Sequence, residues 1–379
     1  MATTSPPAAE SPSPSAPPTA AQQSSGKRLI DRIVHSAGSG SPTSRLLIPL
    51  AAVLAALAIG GVMIGFEGIN PFSVYWSILK AVFVDNRGLS DTATAATPLI
   101  LLGFGYALAY RARIFTIGGE GQYLVGATAG AAWVTADGIR DMPSVFLIIT
   151  GLAFAIIAGA LWSGLAGWAL TRFGANVTIS SLMLVYVGAA IMAWGIRAGF
   201  KDPEAFVNQS RAFEGAALPD LPGTSTHIGF LLALLLVPVL TVLLYRHRSG
   251  FHTTALGHNP SALDVNEVAS NRVTMMIMLV AGALAGLAGM VETAGVNNRL
   301  TASASLGYGF TAIVVALLGR FHPVGVLIAG LGLAGLTIGF EAAEREFSLP
   351  SSLVGVVTAL IVVFVVVGDA LAGRGSEAA

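Results

Sequence analysis

Arg246-His-Arg-Ser-Gly-Phe-His-Thr-Thr-Ala-Leu-Gly-His-Asn-Pro-Ser-Ala-Leu263 separates two hydrophobic runs, at about 227–245 and 272–292. Apolar runs of about 20 residues are long enough to cross a bilayer. A connector between two spans needs only a few residues of turn. This one is polar-leaning, opens on paired arginines and has room for a helix. Asn259 can cap that helix, and Pro260 suits its first position, where no backbone N–H is needed. Ser261 onward carries it to about residue 269. A membrane protein that holds a capped helix between two spans presents something for a partner to grip.

Composition sets the class around that connector. The 379 residues are 54% hydrophobic and 11% charged, whereas soluble domains carry about 25% charged residues. The expected fold is an all-α polytopic membrane protein with little mass outside the bilayer. Net charge is zero and lysine occurs only at Lys27, Lys80 and Lys201, so no basic patch for nucleic acid is expected. The chain has no cysteine, which excludes disulfides, iron–sulfur clusters and thiolate zinc sites. It carries no Gly-x-x-x-x-Gly-Lys-Ser/Thr phosphate loop and no His-Glu-x-x-His metal motif. No catalytic or metal-binding residue is expected. Three parts follow from composition: a disordered cytoplasmic tail over 1–44, a transmembrane domain over 45–372 and a short cytoplasmic tail over 373–379.

Ten spans are expected, near 46–65, 92–110, 117–136, 143–170, 177–197, 227–245, 272–292, 305–319, 322–341 and 351–371. The length of the fourth implies tilt or a break. The eighth is short and glycine-rich at its start, which suits a half-helix. Residues 71–84 are too short to span and predict an interfacial helix with Tyr75 and Trp76 at headgroup level. With both termini inside, the cytoplasmic side receives Lys27, Arg28, Arg32, Arg45, Arg111, Arg113, Arg172, Arg246, Arg248, Arg272, Arg320 and Arg374. The outer side receives Lys80, Arg87, Arg140, Arg197, Lys201, Arg211, Arg299 and Arg345. That bias favours N-in, C-in, and places 246–263 in the cytoplasm. Small residues recur four apart, as in Gly126/Gly130, Gly159/Ser163/Gly167, Ala281/Ala285/Gly289 and Gly335/Gly339. Such rows let helix backbones approach closely.

Polar residues at membrane depth are few. Glu120 and Gln122 lie near the start of the third span, where Arg111 or Arg113 can pair with the carboxyl group. Asn176, Thr178, Ser180 and Ser181 open the fifth, as a polar entry or as simple caps. Glu292, Asn297, Asn298 and Arg299 end the seventh span, and Tyr308 follows. This outer cluster suits a polar, ring-containing solute, a receptor docking surface or an ordinary solvated loop. A relay of acidic residues buried mid-span, as a proton-coupled carrier needs, is lacking.

Four segments carry a family resemblance. Ala96-Thr-Pro-Leu-Ile-Leu-Leu and Phe115-Thr-Ile-Gly-Gly-Glu-Gly-Gln122 look like "TPLIL…FNIGAEGQ". Asn176-Val-Thr-Ile-Ser-Ser-Leu-Met-Leu-Val-Tyr186 looks like "NEVISTIMLNY". Gly250 to Ala262 looks like "GFxLRAVGxNPxAA", and Gly307 to Arg320 like "GYGFDGIAVALLGR". Over about 46–371 the chain resembles the permease subunits of bacterial ABC importers in the branched-chain amino acid and simple sugar superfamily. Within it, the likeness is to nucleoside-type permeases that work with basic membrane lipoprotein receptors. Departures include Thr116, Gly119, Val185, His252-Thr-Thr254 and Glu267 to Asn271.

The resemblance implies a multi-pass protein of the bacterial plasma membrane that does no covalent chemistry. The 246–263 segment becomes a coupling helix docking on a separate ATPase, which binds ATP and magnesium; this chain itself needs no cofactor. Phe251, Leu256 and Leu263 are the implied apolar anchors, Arg246 and Arg248 the rim, with Gly250, Gly257, Asn259 and Pro260 shaping the segment. Further implied partners are a second related permease or another copy of this chain, and an extracytoplasmic substrate-binding lipoprotein. Glu120, Gln122, Asn176, Ser180, Ser181, Glu292, Asn297, Asn298 and Tyr308 are the pathway candidates. A simple sugar in place of a nucleoside, or a stand-alone carrier or channel, are the rival readings.

Overall fold

The structure is a computed structural model that describes residues 42–265, 267–304 and 307–377. Most of the 1–44 tail lies outside these residues, and helix already begins at Pro42. Every regular element among the described residues is helical, apart from three isolated β-bridges. The helices are α1 (Pro42–Phe66), α2 (Pro71–Phe83), α3 (Gly88–Arg111), α4 (Gly119–Val134), α5 (Ser144–Phe173) and α6 (Val177–Trp194). They continue with α7 (Gly229–Tyr245), α8 (Arg248–His258), α9 (Pro260–Val265) and α10 (Ser270–Glu292). The last three are α11 (Tyr308–Leu318), α12 (Pro323–Phe347) and α13 (Ser351–Glu377). Single π-turns extend α6 over Gly195–Gly199 and α10 over Thr293–Asn297.

Six helices are long and apolar enough to cross a membrane, or eight if each of two bent pairs counts as one span. The bent pairs are Leu54–Phe66 with Pro71–Phe83, at 116°, and Gly229–Tyr245 with Arg248–His258, at 64°. Of the tilt or break expected for the fourth span, the break is absent: α5 is one unbroken helix of 30 residues. The interfacial helix over 71–84 forms as α2, capped by the Asn70 side chain with Pro71 in its first turn. Trp76 is exposed as expected, but Tyr75 turns inward and donates its hydroxyl to Leu57 O at 2.5 Å. The helix carbonyl satisfies the phenol's polar atom away from water.

Burial separates the helices by role. The apolar window of α3 is 89% buried, against 22% for α5, so α3 is the central post and α5 turns most of its surface outward to lipid. Helices α10, α11 and α12 pack around α3, and α4 and α5 pack on α10. Small residues make these contacts possible. A Cβ on Gly286 would land on the Ala155 carbonyl, one on Gly159 or Gly282 on the facing backbone, and one on Gly126 on Gly286. Backbone-to-backbone approach through such rows is how membrane helices pack without a hydrophobic effect between them. A second apolar cluster joins α1, α2, α12 and α13 through Ala56, Val74, Ile78, Phe340 and Val357.

The eighth expected span is half-built. Beyond the π-turn that extends α10, residues 298–304 form no helix, and Gly307 has a φ of +76°, which favours glycine. Only then does the 11-residue α11 start. Non-helical backbone is tolerated inside a membrane protein where it is buried in protein or lines a cavity; here Leu300 and Ala304 are buried, and Asn298 and Ser303 line a cavity.

Candidate functional site

Two features stand at opposite ends of α3. At its N-terminal end is a cavity of about 1070 Å³, walled by α3, the end of α10, α11, α12 and the 217–225 loop. Its polar wall includes Asp91, Thr94, Asp220, Glu292, Asn297, Asn298, Tyr308, Thr311, Thr337 and Glu341 and, among the described residues, no lysine or arginine. The loops around it are tied down by hydrogen bonds. Ser225 Oγ donates to Asp91 Oδ1 at 3.0 Å, and Thr226 Oγ1 to Ser90 O at 3.0 Å. Ser210, Phe213 and Leu218 N–H groups donate to Leu300, Asn298 and Ala294 carbonyls, lacing the 200–228 loop to the segment after α10. Beyond the cavity, Arg211 holds Asp137 at 2.7 Å and keeps that carboxyl group below its usual range.

The inner wall contains a buried polar cluster. Tyr308 Oη donates to Glu292 Oε1 at 3.3 Å, and Tyr308 packs on Tyr123, whose hydroxyl donates to Ala304 O. Next to it, Glu120 Oε2 accepts from Gly309 N at 2.6 Å. Glu120 lies in the first turn of α4 and at the N-terminus of α11 together. Both helix dipoles present their positive ends to its carboxyl group, a favourable place for an acid. Of the two arginines expected beside it, Arg111 is engaged elsewhere: it donates to Thr254 Oγ1 at 3.0 Å and lies 4.4 Å over the Tyr245 ring.

The other pathway candidates fall away from this void. Gln122 is buried behind Tyr106 and Thr116. Asn176 caps α6 by accepting from Thr178 N and Ile179 N, and Ser180 donates back to Asn176 O. Ser181 accepts from Ile117 N, fixing the loop before α4. Asp91, Thr94, Thr311, Thr337 and Glu341 escaped the sequence analysis. Their signal was helical spacing, as in Asp91/Thr94 and Thr337/Glu341, within runs otherwise read as apolar.

At the other end of α3 sits the connector. The helix expected from Asn259 forms over Pro260–Val265 as α9, and a further helix that was not expected, α8, precedes it. α8 is capped by His247, whose Nδ1 accepts from Ser249 N, and α9 by Asn259, which accepts from Ser261 N at 3.1 Å. Burial sorts the anchors. Phe251 is 70% exposed, while Leu256 and Leu263 are buried in their own bundle with Leu108, Ala112 and Leu244. Arg246 and Arg248 are exposed, and so is Val265, which the sequence analysis passed over. Gly257 lies against the end of α3, where an added Cβ would sit 2.5 Å from Arg111 O. Gly250 is equally confined, by Leu243 and Leu244 carbonyls.

A buried small-residue bundle, an acid-lined cavity and a docked cytoplasm-type helix pair invite comparison with known proteins. The family described as branched-chain amino acid transport system / permease component matches residues 88–366. The chain belongs to this family. It is 34% identical to a glucose ABC transporter permease of Haloferax volcanii, over 87% of this chain and 92% of that protein. It is 32% identical to a guanosine ABC transporter permease of Bacillus subtilis, over 85% and 93%. It is 29% identical to a nucleoside ABC transporter permease of Lactococcus lactis, over 86% and 92%. No solved structure matches the chain.

This permease is a multi-pass plasma membrane protein, a transport component and not an enzyme. As an ABC permease it works in a system that includes an ATPase and a substrate-binding protein. One departure from the family motif has a physical account. At Gly119 an added methyl would collide with the Tyr106 hydroxyl, which accepts from Gly119 N at 3.0 Å.

Proposed function

We propose that this permease imports nucleosides through the cavity at the far end of α3, driven by a separate ATPase that binds ATP and magnesium and grips α8. The supporting observation is the cavity wall, rich in carboxyl, amide and hydroxyl groups and, among the described residues, without lysine or arginine. Such a wall suits a neutral solute with many hydrogen-bonding groups and repels phosphorylated ones. Its size matches small-molecule sites, about 300–1,000 Å³, and Tyr308 offers a ring face for a base. In this reading the chain crosses the membrane ten times, with α4 and the α11 half-span completing the set, and both termini are cytoplasmic. The cavity opens to the outside, where a lipoprotein receptor delivers solute, and a second related permease or another copy completes the path.

Force passes through α3. Closure of the ATPase pushes α8 through exposed Phe251, with Arg246 and Arg248 at the rim. The Gly257 contact and the Arg111–Thr254 hydrogen bond make α8 and the end of α3 one body. At its other end, the same helix carries Asp91, Thr94 and Leu99 into the cavity wall. A displaced α8 therefore reshapes the solute site.

The test is ATP-dependent uptake of radiolabelled nucleosides, with glucose and ribose as controls, by the complex expressed from its own gene cluster. Phe251→Asp is the coupling variant, because Phe251 is exposed and a charge there leaves the bundle intact. Nucleoside uptake that falls at least about tenfold in this variant supports the proposal. Uptake of glucose or ribose alone overturns the nucleoside assignment, and uptake without the ATPase overturns the ATP-driven one.

A further inference from the structure

Glu292 is 5% exposed and forms part of the cavity wall. Its Oε1 accepts from Tyr308 Oη at 3.3 Å. Its Oε2 is closed to solvent and has no hydrogen-bond partner among the described residues. A buried carboxyl oxygen without a donor is costly, and native proteins satisfy nearly all such groups unless function requires the exception. Its cavity neighbours do not relieve it. They include three more carboxyl groups, Asp91, Asp220 and Glu341, and, among the described residues, no basic side chain. Arg345 lies 3.9 Å from Glu341, is 71% exposed and is not part of the wall. The cavity therefore has an excess of acceptors, and its most buried acceptor is half-satisfied.

We infer that Glu292 is the specificity-determining residue of the solute site, taking an N–H donor from the base edge of a nucleoside. This rests on reading the cavity as the solute path. A carboxyl group pairs best with two adjacent donors in one plane. A guanine-type base offers that arrangement, with a ring N–H beside an exocyclic amine. Tyr308 holds Oε1 from one side and keeps the group oriented, while Oε2 awaits the solute on a small turn of the side chain. A sugar hydroxyl can supply a single donor to the same oxygen, so the experiment separates the two sources.

The experiment measures transport into proteoliposomes by the complete complex, with receptor saturated so that receptor affinity drops out. Guanosine is compared with purine riboside, whose base has no N–H donor, and glucose with its deoxy derivatives. The wild type should move guanosine about tenfold or more faster than purine riboside. Glu292→Gln replaces one of the two acceptor oxygens by an N–H donor, which opposes one donor of the base edge, and this ratio should fall several-fold. Glu292→Asp should restore part of it. A ratio unchanged in Glu292→Gln overturns the inference, as does an equal loss for both nucleosides in a variant that still assembles. A wild type that carries sugars and no nucleoside defeats the functional proposal instead. The role of Glu292 as donor-reader is then judged by whether Glu292→Gln erases the glucose-over-deoxyglucose preference.

Discussion

Replacing Gly309 with alanine tests the construction of the inner wall. The added Cβ would fall 2.5 Å from Glu120 Cα and 2.7 Å from Glu120 Oε2, and closer still to Glu120 N. Two of these atoms belong to backbone of α4 and cannot swing aside. α11 must then retreat, stretching the 2.6 Å hydrogen bond from Gly309 N to Glu120 Oε2. Overpacking of this kind costs about 1–3 kcal/mol. The lost hydrogen bond adds about 0.6 kcal/mol if it behaves like an average interhelical bond in a membrane protein, and up to about 3 kcal/mol if the acceptor is charged. The sum is about 2–6 kcal/mol. Thermal unfolding of the purified permease is the assay, with Gly332→Ala as control, since Gly332 is also helical but nothing lies within 4 Å of its would-be Cβ. That control should be neutral or stabilising by up to about 1 kcal/mol. A double-mutant cycle with Glu120→Gln should be strongly non-additive, because both changes act on one contact. Gly309→Ala melting together with Gly332→Ala would refute the claim that α11 is seated on Glu120.

Two further outcomes follow from packing. Leu256→Asp should lower expression and melting temperature sharply, because Leu256 is 7% exposed in the cluster that joins α8 to the bundle. Phe251→Asp should melt like the wild type, and equal instability in the two would place Phe251 inside the fold. Gly286→Ala should destabilise by about 1–3 kcal/mol in a thermal shift assay, since its methyl meets the Ala155 carbonyl and Gly159 Cα; an unchanged midpoint would show that α5 and α10 can part freely.

Much of this fold was legible because lipid imposes a simple code. Apolar runs of span length announced the helices, and glycines four apart announced the seam that α10 makes with α4 and α5. The half-helix was visible in the brevity of the run before Gly319. What escaped was partnership across distance. Glu120 has arginines nine and seven residues before it, yet it accepts from a backbone N–H 189 residues away, and a backbone donor leaves no mark in a sequence. Leu256 and Leu263 are apolar residues in a polar connector. Such residues signal a contact but not whether it is with the chain's own bundle or with another protein. Thr94, Thr311 and Thr337 are threonines in three separate runs, each unremarkable until the fold turns them towards one void.

The shortness of α11 also bears on how the chain enters the membrane. Its 11 residues rise about 17 Å at 1.5 Å each, roughly half of the hydrocarbon thickness. An insertion machinery that selects segments by length and apolarity has little reason to admit it by itself. The following helix, α12, has 25 residues, and the two are joined where Gly319 and Gly325 meet backbone to backbone. The pair therefore enters as one hairpin, and a nascent chain halted between them leaves α11 stranded at the mouth of the translocon until α12 emerges.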